Sequence, residues 1–343
     1  MDRKRLEMIG VAAAAVAIGG FVYYRLASKK PPATSLGVPK GAIEVTQLWV
    51  YPVKSCGGMP LQKAKLNQFG VEYDREWVIV DRATNKVQTQ REISKMKLIF
   101  AAIDEVNGAL VLSAQGAGSC KVPLKLQKAP EDKLLRLEKW DLFGMFQAES
   151  EEVAQWLTAY LGKDVFLARC VGARNPNDNA KYRPLLKPDM RVNGQDFSTL
   201  HIVTEEALAW IRKEANDASI NVARFRPNIV VAGAPFPAED DWHQMTMYSM
   251  NGTNQATGAI SLVTAKPCSR CSIPTIDDEA KANKDYQPTK TIREKHATGT
   301  AVEPERMQPM FGLNVFHLNL GEISIGDVLK VESTRPAPKA ATA

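Results

Sequence analysis

The chain is predicted to be a mainly β protein of the α+β class: two β-rich domains behind a single N-terminal transmembrane helix. Three observations predict it. Short runs of alternating or β-branched residues recur between turn formers, only two segments of the body carry helical spacing, and 343 residues suffice for two cores at about 100–200 residues per domain.

The first element is the stretch MIGVAAAAVAIGGFVYY, seventeen uncharged residues between Glu7 and Arg25. As a helix it would extend roughly 25 Å, enough for a thin bilayer. Lys and Arg flank it on both sides, and Tyr23 and Tyr24 fall where an interfacial aromatic belt would lie. Residues 1–25 are therefore read as a membrane anchor. A cleaved secretory signal is the competing reading, but no convincing Ala-x-Ala site follows. Residues 26–41, with their Pro, Ser and Gly, have the composition of a flexible linker.

The globular body begins at Ala42. AIEVTQLWVYPVKS, EWVIVD, LIFAAID and GALVLSA read as strands of a first domain over residues 42–172. SEEVAQWLTAYLG then has a helix-start signal at Ser150 and apolar spacing of three and four, a character repeated by EEALAWIRKEA. The polar, proline-broken segment between Ala173 and Asp189 opens a second domain, 173–334, whose strands are RPNIVVAG, AISLVTA, NVFHLNL and EISIGDVLKV. Residues 335–343 read as a disordered tail.

Charge and cysteines exclude several classes. The formal charge of +6 owes much to the N-terminal segment, which leaves the body near neutral and implies no nucleic-acid partner. Five cysteines, at 56, 120, 170, 268 and 271, suit a reducing compartment better than a disulfide framework. With the anchor, this points to an organelle membrane facing the cytosol.

The chemistry concentrates in AKPCSRCSIPTIDD. One Cys-x-x-Cys pair with four scattered histidines is a poor zinc site, and SIPTID is a poor helix start for a thioredoxin-like dithiol. Burial as simple packing residues is the bland alternative. Arg270, between the two cysteines, raises the local potential and favours a thiolate, the form that binds a soft metal. With no His/carboxylate cluster nearby, a metal would bring most of its ligands in a cofactor. An anionic cofactor needs cations on loops, and Lys54 and Ser55 in YPVKSC, Arg91 in TQRE, and Arg224, Arg226 and Asn228 in RFRPNIVV supply them.

Together YPVKSC, RFRPNIVV, CSRC and FGLN, in this order and over nearly the whole chain, resemble the amidoxime reducing components, molybdenum enzymes of the MOSC superfamily. The resemblance implies a MOSC β-barrel domain behind a β-rich MOSC N-terminal domain, and a molybdenum–molybdopterin cofactor. It implies Cys271 as metal ligand, Ser269 and Arg270 as pterin contacts, and Cys268 as a structural or auxiliary thiol. Lys54, Ser55, Arg91 and Arg226 match cofactor-binding positions, with Asn228, Ser198 and Asn314 as further contacts. Asp196 matches an acidic residue near the metal and is the candidate proton carrier. Phe197 stands where some relatives have a small hydroxyl residue, so only a main-chain contact could persist there. The implied activity is reduction of N-hydroxylated compounds with electrons from NADH through cytochrome b5 reductase and cytochrome b5. The implied location is the mitochondrial outer membrane, body facing the cytosol, with a peroxisomal or other organelle membrane as alternative. Two rival readings stay open: a cofactor or sulfur carrier, and a membrane-tethered dithiol reductase using Cys268 and Cys271.

Overall fold

The computed structural model describes residues 42–139, 142–172, 191–250, 256–300 and 303–335. The predicted anchor, the linker and most of the polar segment before the second domain lie outside them. No helix among the described residues is long and apolar enough to cross a membrane.

The first half runs through β1 (Ile43–Val50), β2 (Met59–Leu61), β3 (Lys63–Asn67), β4 (Gly70–Val71), β5 (Trp77–Asp81), β6 (Phe100–Asp104), β7 (Ala109–Ala114), β8 (Gly118–Pro123), β9 (Leu135–Lys139), β10 (Leu142–Ala148), helix α1 (Glu151–Leu161) and β11 (Val165–Gly172). The second half holds β12 (Leu200–Thr204), α2 (Glu205–Glu214), β13 (Ile229–Ala232), β14 (Trp242–Met250), β15 (Ala256–Ser269), α3 (Thr289–Lys295), β16 (Ala297–Thr300), β17 (Glu303–His317), β18 (Gly321–Ser324) and β19 (Val328–Thr334). The mainly β expectation holds. The segment EISIGDVLKV makes two strands, and α3 was not legible as a helix.

Seven strands close a barrel in the order β12-β13-β1-β19-β14-β15-β17, with β17 pairing back to β12. Closure removes the exposed edges that an open sheet would leave. The alternation of a strand decides what fills it. Ile229 and Val231 of β13 join the barrel core, while Val230 between them packs under α2. In β1 the register slips between Val45 and Gln47, so Val45 and Leu48, three residues apart, both reach that core.

The first strand of the predicted N-terminal domain thus belongs to the barrel of the second. It pairs with β13 and β19, and β3 pairs with β18. Alternation reports that a strand is half-buried but says nothing about its partner, which here lies far along the chain. What remains of the first half is the sheet β5-β11-β10-β9 and the meander β6-β7-β8. All of β5 is buried, because Trp77 and Ile79 face one core and Val78 and Val80 another. Helix α1 seals the first of these with Val153 and Leu157, one turn apart.

Helix α1 begins after Ser150 as expected, although no side-chain cap bond forms there. Helix α2 is capped by Thr204, whose hydroxyl accepts the Ala207 N–H at 3.0 Å. At the other end Arg335, assigned to the tail, is bonded through its N–H to the Asp241 carbonyl at 2.6 Å.

Candidate functional site

Four separated segments meet at one end of the barrel: the loop after β1, the turn before β5, the loop before β13 and the end of β15. Strand β15 delivers the cysteine motif past two register shifts against β17, at Thr264/Lys266 and Pro267/Ser269. Such bulges re-aim side chains next to sites, and one of them lets Pro267 sit in the strand.

Three site residues sit in the left-handed backbone region: Ser55 (φ 65), Arg75 (φ 49) and Arg226 (φ 59). Each such conformation costs about 1–3 kcal/mol for a non-glycine residue and survives only where its surroundings impose it. Hydrogen bonds impose it here. The Arg75 N–H donates to the Tyr51 carbonyl at 2.8 Å, the Gly194 N–H to the Arg75 carbonyl at 2.9 Å, and the Arg226 N–H to the Val222 carbonyl at 3.1 Å. A Cβ on Gly194 would lie 2.5 Å from the Arg75 carbonyl oxygen, so that approach requires glycine.

Side chains interlock the segments. Arg226 is half-buried. Its Nη1 donates to the Cys56 carbonyl, and its guanidinium lies 4.3 Å over the Tyr51 ring. Arg75 covers the same ring at 4.4 Å and donates through Nη2 to the Arg226 carbonyl at 2.9 Å. Arg75 Nη1 stands 2.6 Å from both oxygens of buried Asp74. Arg270 Nη2 donates to the Phe225 carbonyl at 3.0 Å, tying the cysteine motif to RFRPN.

The cations outnumber what answers them. Burial, followed by the Arg75 charge, pushes Arg226 down to about 10. Burial likewise lowers Lys97, which Asp278 partly offsets at 3.1 Å and which Arg224 and Arg226 lower further. Buried Arg226 Nη2, Arg270 Nε and the Tyr51 hydroxyl have no hydrogen-bond partner among the described residues. Unpaired buried donors inside a positive cluster are what an anionic group would satisfy.

The predicted residues are sorted by this geometry. Lys54 and Asp196, read separately from sequence, form one unit: the buried ammonium donates to Asp196 Oδ1 and to the Gly194 carbonyl, each at 2.7 Å, while the carboxylate side chain stays 64% exposed. Ser55 is buried, with its carbonyl accepting from Gln90 Nε2 at 2.7 Å. Arg91 is exposed, with Nε 3.3 Å from Thr89 Oγ1. Beside Arg226 the structure places Arg75, which the sequence reading passed over. Its signal was an arginine next to an acid in YDREW, directly before a buried strand.

Asn228 accepts the His201 N–H at 3.2 Å and donates to the Trp49 carbonyl at 3.3 Å, so both ends of its amide serve the barrel. The Ser198 hydroxyl donates to the Leu200 carbonyl at 2.8 Å and stands 3.1 Å from Asn314 Oδ1; Asn314 Nδ2 donates to the Pro267 carbonyl at 3.4 Å. These two hold β12, β17 and β15 together below the motif. Phe197 packs edge-on against Phe316, centroids 6.2 Å apart, with Lys266 Nζ 4.7 Å over its ring. Ser269 ends β15 opposite Met310.

The two motif cysteines differ. Cys271 is exposed; the Ile273 N–H approaches its sulfur at 3.5 Å, and its carbonyl accepts from Thr289 Oγ1 at 3.1 Å. Cys268 is half-buried and receives Arg270 Nη1 at 3.2 Å. Burial would raise its thiol, but Arg270 and His201 outweigh burial and bring it down to about 6. The thiolate-favouring effect expected of Arg270 is therefore seen on Cys268. Among the described residues no three His, Cys, Asp or Glu side chains group to hold a metal, so a metal at Cys271 would draw its other donors from a cofactor.

Residues 42–164 match the MOSC N-terminal beta barrel domain and residues 189–330 the MOSC domain. The chain is 26% identical over 336 residues to human mitochondrial amidoxime-reducing component 1, covering 95% of this chain and 94% of that one. It is 24% identical to mitochondrial amidoxime reducing component 2 of Rattus norvegicus, covering 95% and 93%. A molybdenum cofactor sulfurase of Oryza sativa subsp. japonica is 24% identical over 73% of this chain and 30% of its own. Among solved structures, the YUAD protein from Bacillus subtilis aligns over 84% of this chain and 94% of its own, with TM-score 0.38 and 10% identity.

Proposed function

The chain belongs to the MOSC-domain proteins, and from that premise we propose that it is a molybdenum-cofactor-dependent reductase of N-hydroxylated compounds such as amidoximes and hydroxylamines. The observation that carries this reading is the half-buried cationic cluster with buried, unpaired donor atoms on Arg226 and Arg270, beside an exposed Cys271. The residues fit an anionic pterin phosphate. Arg226, Arg75, Arg270 and Lys54 with Ser55 would hold it, and Cys271 would supply one thiolate to the metal. When bound, that cofactor supplies the two-electron reduction of the N–O bond.

The chain's own residues bind, orient and handle protons. The Arg75–Tyr51–Arg226 stack and the Arg270 bond to Phe225 fix the anion-binding groups before anything binds, so little ordering is required on loading. Asp196, exposed and held by the Lys54 ammonium, would carry a proton on its carboxylate between solvent and substrate. Phe197, next to Asp196 in sequence, and Lys266, whose ammonium lies over the Phe197 ring, form an apolar and cationic edge. Electrons come from NADH through cytochrome b5 reductase and cytochrome b5. An anchor at residues 1–25 in the mitochondrial outer membrane would raise their effective concentration.

The test is molybdenum and pterin content of the purified chain, followed by benzamidoxime reduction with NADH and the two cytochrome-system partners. Stoichiometric molybdenum with turnover is expected; loaded protein without turnover points to a cofactor carrier. The thiolate at Cys268 favours a second, sulfur-handling reading, and thiol-dependent turnover in metal-free protein would bring it forward.

A further inference from the structure

The Tyr51 ring serves the arginine stack, but its hydroxyl has no role so far, and its surroundings are unusual for a tyrosine. It follows β1 directly, is 1% exposed, and its ring carries two guanidinium groups, Arg75 at 4.4 Å and Arg226 at 4.3 Å from its centroid. A buried phenol ordinarily finds a partner for its hydroxyl. This one has none among the described residues, and neither does Arg226 Nη2.

Further contacts hold Tyr51 in place. Its backbone N–H donates to Asp74 Oδ1 at 3.0 Å, the carboxylate that also holds Arg75. A Cβ on Gly58 would come within 2.3 Å of the ring, so the chain after YPVKSC closes on Tyr51 only because position 58 is glycine. Burial pushes the phenol up to about 12, against the opposing pull of Arg226 and Arg75, so the hydroxyl keeps its proton near neutrality. It is therefore a donor.

We propose that Tyr51 is a binding and positioning residue for an oxyanion of the phosphate monoester type: its ring spaces the Arg75 and Arg226 guanidiniums, and its hydroxyl donates to the anion that the free Nη2 of Arg226 also addresses. Guanidiniums stacked on one aromatic ring repel each other less than they would in contact, because each meets the negative face of the ring. The stack thus keeps two cations close although only Arg75 is answered by a carboxylate, Asp74, which leaves the Arg226 charge for an external group. Identifying that group as the phosphate of a pterin cofactor rests on the function proposed above.

Two variants of the full chain test this. Tyr51→Phe keeps the ring and removes the donor; Tyr51→Leu also removes the spacer. Purified Tyr51→Phe should melt at the wild-type temperature in phosphate-free buffer yet retain pterin and molybdenum about tenfold less well on dialysis, the loss expected for one hydrogen bond to a charged acceptor. In cofactor-stripped protein, the rise in Tm produced by inorganic phosphate should be smaller in Tyr51→Phe than in wild type, and absent in Tyr51→Leu. If wild-type protein purifies without pterin or molybdenum, the cofactor reading fails and the inorganic-phosphate arm decides the role of Tyr51 by itself. Wild-type pterin retention together with a wild-type phosphate response in Tyr51→Phe would overturn the inference.

Discussion

Two charged clusters in this protein handle surplus charge in opposite ways. Behind α3, His296 directs Nδ1 to the Met310 carbonyl at 2.9 Å and Nε2 to Asp240 Oδ2 at 2.7 Å. Both ring nitrogens meet acceptors, so both carry protons; burial works against that charge, but Asp240 and the carbonyl prevail and the histidine is raised. The adjacent Glu239, 1% exposed, is pushed up to about 7 by burial and is largely neutral below that pH. That cluster sheds its unmatched charge by protonation. The site cluster cannot, because an arginine pushed down only to about 10 stays charged at neutral pH. Surplus charge that the protein cannot discharge is left for a ligand, and that distinguishes a binding site from a structural latch.

The sharpest way to break this comparison is at the thiols beside the site. Cys271→Ser should lower amidoxime turnover by at least about 100-fold with an unchanged melting temperature, as loss of a metal ligand would. Cys268→Ser should keep substantial activity. Equal loss in both variants, read in the same steady-state assay, would return the dithiol mechanism to first place.

Next in size is reactivity of Cys268 itself, which reports the surplus positive potential. Cys56, buried, is pushed up to about 12, whereas Cys268 with Arg270 at 3.2 Å stands near 6. Arg270→Gln should move its alkylation midpoint toward the ordinary thiol value near 8.5 and slow alkylation at pH 7 by roughly thirtyfold. With Cys271 replaced by Ser in the background, a midpoint that stays near 6 would show that Arg270 does not set the potential.

Arg226→Ala should purify with pterin and molybdenum reduced in parallel, by roughly tenfold or more for a loss of about 1.5–3 kcal/mol, while the loaded fraction turns over normally. Unchanged loading with impaired turnover would move Arg226 from the cofactor to the substrate.

The smallest effect belongs to the latch. Glu239 and His296 both have raised values in the folded protein, so their stabilising protons are fully bound at low pH and the contribution is lost as pH rises through the folded values. For Glu239 the window runs from about 4.5 to about 7. Glu239→Gln should match wild type in stability near pH 4 and exceed it near pH 8, by about 3 kcal/mol at most, read as a higher Tm. A wild-type Tm that is flat over this range would show that Glu239 ionises in the folded protein at its ordinary value.

Much of this protein was legible in its residues because the relevant physics is local. Alternation in IEVTQLWV and the short apolar run in WVIVD mark strands, the spacing of Val153 and Leu157 marks a helix, and an arginine between two cysteines favours a thiolate whatever the fold. Partners were not legible. That β1 lies between β13 and β19, that Lys54 holds Asp196, and that Arg75 shares the Tyr51 ring with Arg226 are pairings across 142 to more than 270 residues in some cases and across 24 in others. Side-chain type and spacing fix what a residue can do; only closure of the barrel, driven by burial of a core shared by distant strands, decides which residues do it together.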